Sequence, residues 1–139
     1  MSLQNKIDFA LIFSVKNANP NGDPLNGNRP RTDYEGFGEV SDVCIKRKIR
    51  DRLQDIGESI FVQSDEKKTD GMPSLKARAE SEEYGLGKDA FKIDKNKPEK
   101  KSNTAKMACK KWFDVRAFGQ LFAFGKGEDA AGVSIPIRG

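Results

Sequence analysis

The 139-residue chain sets 25 Lys and Arg against 21 Asp and Glu, a formal charge of +4, and is 36% apolar and 33% charged. That length fits one domain, residues 1–139, with a modest core, and the mild basic excess favours a polyanionic partner only where the cations cluster. The lack of any histidine excludes imidazole general-base chemistry and His-ligated zinc.

In chain order, residues 7–15 come first: Ile7, Phe9, Leu11, Phe13 and Val15 alternate with Asp8, Ala10, Ile12 and Ser14, the pattern of a strand with one buried face. Residues 17–40, NANPNGDPLNGNRPRTDYEGFGEV, then show no apolar period. Connections this long in compact domains are usually binding loops or disordered. Asn17, Asn19, Asn21 and Gly22 echo a calcium-loop spacing, but Asn28 stands where a bidentate Glu is required and the early ligands carry no charge, so no metal is expected. Asn and Gly tolerate positive φ, Pro20, Pro24 and Pro30 fix φ, and backbone N–H groups in such turns can cradle an anion. Arg29 and Arg31 add fork-shaped donors suited to phosphate. On spacing alone, an anion-binding loop and an ordered polar loop that holds nothing stand equal. Tyr34 or Phe37 can either stack a base or anchor the loop.

Ser41 is a good N-cap, Ile45, Ile49, Leu53 and Ile56 recur at helical spacing, and Gly57 supplies a stop. On this helix Lys46 with Arg50 and Lys48 with Arg52 are like-charged i,i+4 pairs, each costing about 0.2–0.5 kcal/mol in isolation, and only Arg47 with Asp51 offsets them. Lys46, Arg47 and Arg50 beside a helix N-terminus are better explained by a phosphate backbone than by solvation. Phosphate contacts of that kind give affinity without sequence preference.

Residues 58–63 (ESIFVQ) read as a shorter strand. Residues 64–103 read as a charged surface insertion, partly mobile, with a short helix over 75–83 and a basic tract over 92–101. A second helix is expected over 104–124, where Ala108, Trp112, Val115, Gly119 and Phe122 form a stripe while Phe113, Leu121 and Phe124 fall elsewhere, a helix buried on several sides. GKGEDAAG is a turn-rich loop, and VSIPI opens another strand. Cys44 and Cys109 are expected as reduced, packed thiols. No phosphate-loop or dinucleotide motif is present, so no cofactor is expected. No apolar run is long enough to span a membrane, and MSLQNKIDF is unlike a signal peptide; a cytoplasmic protein with no membrane contact is the expectation.

The run NANPNGDPLNGNRPRTDYEGFGEVSDVCIKRKIRDRL, followed by WFDVRAFGQLFAF and VSIPIRG, resembles the repeating backbone subunit, the Cas-seven family, of CRISPR Cascade complexes. Within it the chain looks most like the N-terminal half of the type I-C (Csd-two-like) subgroup. The resemblance implies an α+β fold: a modified ferredoxin-like or RNA-recognition-motif palm with a finger insertion at about 64–103, incomplete at its C-terminus. It implies no catalysis. It implies a subunit that polymerises along CRISPR RNA with further copies of itself and other Cascade subunits, and meets target DNA through the guide. Carried over by residue, the RNA-binding elements correspond to Asn19, Asn21 and Gly22, to Arg29 and Arg31, and to Ser41 with Lys46, Arg47 and Arg50; Asp114, Arg116, Phe118 and Gly119 match a structural helix. Two alternatives stand beside this. One is a metal-dependent RNA endonuclease of type III character using Asp23 or Asp33, and the other is a protein-only assembly module.

Overall fold

The aromatic residues lie mostly late in the chain, and the core of the computed structural model forms among them. Residues 8–93, 98–124 and 133–139 are described. They form the short strands β1 (Gly22–Asp23) and β2 (Arg29–Pro30), helices α1 (Asp42–Asp55), α2 (Leu75–Glu80), α3 (Pro98–Lys111) and α4 (Phe113–Phe118), and strands β3 (Gln120–Phe124) and β4 (Val133–Ile137). Both sheets are two-stranded and antiparallel, β1 with β2 and β3 with β4, so the class is α+β. The chain divides into two compact units, Met1–Cys44 and Ile45–Gly139.

In the second unit Phe61, Ala79, Phe91, Ala108, Trp112, Val115, Phe122 and Ile135 pack together. Phe61 sits 4.7 Å from Trp112 and 5.0 Å from Phe122, ring centre to ring centre, in tilted geometries that favour aromatic pairs. Residues 104–124 therefore do not make one helix. α3 ends at Lys111, α4 is a separate short helix, and Gly119, at φ 74°, turns the chain into β3. A side chain there would press on the Ile137 carbonyl at 2.6 Å, which holds this corner to glycine. From Gln120 onward the apolar pattern serves a period of two as well as a period of 3.6: Phe122 is buried while Leu121 and Ala123 are exposed. Residues 133–137 are the strand expected, paired with β3 from Gln120↔Ile137 to Phe124↔Val133. The GKGEDAAG turn lies outside the described residues.

The strand expected over residues 58–63 does not form: the segment joins no sheet, and the chain bends at Phe61 and Val62. Their backbone groups are met by distant groups instead. Asp114 accepts from the Phe61 and Val62 N–H groups at 2.7 and 3.1 Å, Arg78 donates to the Phe61 carbonyl at 2.9 Å, and Arg47 donates to the Val62 carbonyl at 2.8 Å. Buried backbone groups need partners, and here side chains replace a ladder. The surface-insertion reading of residues 64–103 is corrected by the same contacts, because Arg78, Ala79 and Phe91 are buried in the core. Helix α2 starts where Ser74 accepts from the Ala77 N–H, and Arg78 and Asp70, each 4% exposed at the side chain, form a buried pair.

Two further expectations fail. Residues 8–15 form no strand, and Phe9 and Ile12 are 85% and 92% exposed, because a strand needs a ladder partner and none of the described residues supplies one. Helix α1 forms with the expected ends: Ser41 Oγ accepts from the Cys44 N–H at 3.3 Å, and Gly57, at φ 89°, donates to the Gln54 carbonyl. No residue of α1 is fully buried, however, and Ile49 and Ile56 are exposed.

Candidate nucleic-acid interface

The long polar stretch is ordered, and its small polar side chains are engaged in building it. Asp23 accepts from the Leu25 N–H at 3.0 Å to open a turn over Pro24–Asn26, and Gly27 and Asn28 close it at φ 59° and 58°. Asn19 donates to the Asn28 carbonyl at 2.8 Å, and Asn21 Oδ1 accepts from both the N–H and the hydroxyl of Ser41, each at 2.8 Å. A side chain on Gly22 would collide with Asn28 Oδ1. A second turn follows, in which Asp33 accepts from the Glu35 and Phe37 N–H groups at 2.9 Å. Asp23 and Asp33 are thus Asx-turn formers. Tyr34 and Phe37 anchor nothing: both are exposed.

What this hairpin leaves at its surface is arginine. Arg29 is exposed and makes no ion pair among the described residues. Arg31 donates to Glu39 at 2.8 Å, which raises its pKa further and keeps the guanidinium charged at any ordinary pH. Of the nine residues singled out in the sequence, Asn19, Asn21, Gly22 and Ser41 shape this loop, while Arg29 and Arg31 are presented by it.

The other three lie on α1 and are engaged within the second unit. Arg47 pairs with Asp51 at 3.1 Å and holds the Val62 carbonyl. Arg50 pairs with Asp114 at 2.9 Å, its side chain 13% exposed and that of Asp114 1% exposed. The same guanidinium stands 5.0 Å from the ring centre of Phe118, and Lys46 Nζ stands 5.7 Å from it, both within cation–π range. The exposed cations of α1 are Lys48 and Arg52. On α3, Lys101, Lys106 and Lys110 are exposed; sequence reasoning took Lys101 into the basic tract over 92–101 and passed over Lys106 and Lys110, which a charge count confined to that helix would have found.

Among the described residues no cluster of three or more acidic, Cys or His side chains is arranged to hold a metal, and no helix is long and apolar enough to cross a membrane. The described elements define an α+β protein whose exposed charges are of both signs, with Arg29 and Arg31 presented by the hairpin. The family described as CRISPR-associated protein Cas7 matches residues 5–137. A CRISPR-associated protein Cas7 of Haloferax volcanii is 34% identical over 135 residues, which cover 94% of this chain and 37% of that protein. The chain belongs to the Cas7 family and spans little more than a third of that relative's length.

Proposed function

We propose that this chain is the guide-binding portion of a non-catalytic Cas7 backbone subunit of a type I Cascade, closest to type I-C, acting in the cytoplasm in antiviral defence. In this reading copies of the subunit line up along CRISPR RNA, hold its phosphates, contact other Cascade subunits and leave the bases to pair with target DNA. Family membership carries the reading. The hairpin supports it: the polar side chains named above rigidify the turn, and Arg29 and Arg31 stand on the resulting frame as phosphate donors. The turn-building roles of Asp23 and Asp33 support a scaffold over an RNA endonuclease.

Anisotropy of labelled single-stranded RNA at about 50 and 200 mM salt tests this, with slopes near −0.7 per phosphate neutralised. Arg29→Ala with Arg31→Ala is expected to weaken binding and to flatten the slope by about 1.4, without changing sequence preference. Unchanged affinity and slope would remove the hairpin from the interface. A protein-only contact is the second reading, favoured by the exposed run of Phe9, Leu11, Ile12 and Phe13. It predicts association in sedimentation that ignores both RNA and the arginine substitutions.

A further inference from the structure

The dipeptide Asn-Gly occurs twice in the polar stretch, at Asn21–Gly22 and at Asn26–Gly27. It is a reactive setting for an asparagine, because glycine has no Cβ to keep its backbone nitrogen away from the preceding side-chain amide carbon. The two copies sit in opposite surroundings. Asn21 Oδ1 accepts from the N–H and the hydroxyl of Ser41, each at 2.8 Å, and Asn21 Nδ2 donates to the Gly22 carbonyl at 3.1 Å. Gly22 is paired with Pro30 between β1 and β2, and Asn28 Oδ1 fills the place that a Cβ would take on it. Asn26 has no such hold. It ends the single turn Pro24–Asn26, it is exposed, and its side chain makes no hydrogen bond among the described residues. Around Gly27, at φ 59°, nothing lies within 4 Å of where a Cβ would stand.

From this contrast we infer that Asn26 is a site of spontaneous deamidation in the folded protein, while Asn21, followed by the same residue, is protected by its hydrogen bonds. A single exposed turn opens locally at little cost, which lets the Gly27 nitrogen reach Cγ of Asn26. That nitrogen gives up its proton and bonds to Cγ, closing a five-membered succinimide, and the side-chain nitrogen leaves with the proton as ammonia. Water then opens the ring. Breaking the new Cγ–N bond leaves aspartate, and breaking the original peptide bond leaves isoaspartate, with the main chain rerouted through Cβ and Cγ. One water enters, one ammonia leaves, and no other reactant is needed. Either product takes the chain from +4 to +3, with the new carboxylate three residues before the exposed Arg29. Isoaspartate also adds a methylene to the connection that sets the register Asp23↔Arg29. In the guide-binding reading this weakens the hairpin's hold on phosphate as the protein ages, but the reaction itself does not depend on that reading.

The test is peptide mapping by mass spectrometry after warm incubation at mildly alkaline pH, on the folded chain and on the same chain in urea. Trypsin releases residues 17–31 as one peptide, because Arg29 precedes Pro30 and is not cut, and fragment ions separate position 21 from position 26. Enzymatic methylation of isoaspartate gives a second readout. In the folded chain Asn26 is expected to deamidate about tenfold or more faster than Asn21, whose hydrogen bonds must first open. In urea the two rates are expected to converge. Asn26→Gln, which would have to close a less favourable six-membered ring, is expected to remove both the mass change at that position and the isoaspartate signal. Equal rates at the two positions in the folded chain, or a faster reaction at Asn21, overturn the inference. So does an Asn26 that reacts only in urea.

Discussion

Helices α1 and α3 are each 14 residues long and each carry five Lys and Arg, yet their cations have opposite fates. Three of those of α1 are drawn inward, Lys46 to the Phe118 ring, Arg47 to Asp51 and the Val62 carbonyl, and Arg50 to Asp114 and the same ring, while Lys48 and Arg52 stay exposed. Among the described residues those of α3 form no ion pair: Lys101, Lys106 and Lys110 are exposed, Lys111 is half-buried, and Lys100 donates to the Lys92 carbonyl. The difference comes from what each helix lies against. Residues 58–63 bring carbonyls without a sheet, Asp114 brings a buried carboxylate, and guanidinium groups are suited to answering both. Among the described residues the outer face of α3 meets nothing comparable, and lysine, strongly hydrated on a flexible stem, suits solvent.

The comparison breaks most visibly at Asp114. Its two oxygens serve the Phe61 and Val62 N–H groups and Arg50, and it is 0% exposed. Asp114→Ala leaves two backbone donors and a guanidinium without their acceptor, at an expected cost of about 3–5 kcal/mol in urea unfolding. A cost under about 1 kcal/mol would mean that Arg50 is not held inward, and α1 would then resemble α3.

Next in size is the pair Asp70 with Arg78, where α2 draws a cation inward as α1 does. Asp70→Asn, which keeps the shape and removes the charge, is expected to cost about 2–3 kcal/mol at neutral pH. The hydrogen bonds from Arg78 hold the Asp70 carboxyl below the usual carboxylate range. Its contribution is therefore complete above the unfolded value of about 3.9 and is lost as pH falls through the lower folded value. Urea midpoints measured from pH 6 down to pH 2 should fall for wild type and fall less steeply for Asp70→Asn. Parallel curves would mean that the pair is not linked to acid unfolding.

How far such contrasts are legible in sequence depends on how local their causes are. The ends of α1 were readable because Ser41 and Gly57 act within a turn of themselves. Residues 58–63 were misread as a strand, because what satisfies their backbone was not legible: Asp114 lies more than fifty positions downstream. Residues 120–124 were misread as helix because QLFAF fits either period, and Gly119 was counted into a stripe when it makes a corner. At the candidate site, charge and spacing could not separate Arg47 and Arg50, which are engaged, from Arg29 and Arg31, which are exposed, because the Val62 carbonyl and Asp114 lie outside any local window. Of the α3 cations only Lys100 and Lys101 were noticed, as part of the basic tract over 92–101; Lys106, Lys110 and Lys111 were passed over because that segment was read through its buried stripe.

The smallest expected effect is the one that best distinguishes the two helices. Lys106→Glu sets an acid four residues before Lys110, replacing a repulsive i,i+4 pair with the favoured Glu-then-Lys order. Each half of that exchange is worth about 0.2–0.5 kcal/mol, so the variant should unfold at a slightly higher urea concentration, by roughly 0.5 kcal/mol in all. A variant destabilised by more than about 1 kcal/mol would show instead that Lys106 serves the fold, as Arg47 and Arg50 do, and the contrast between α1 and α3 would disappear.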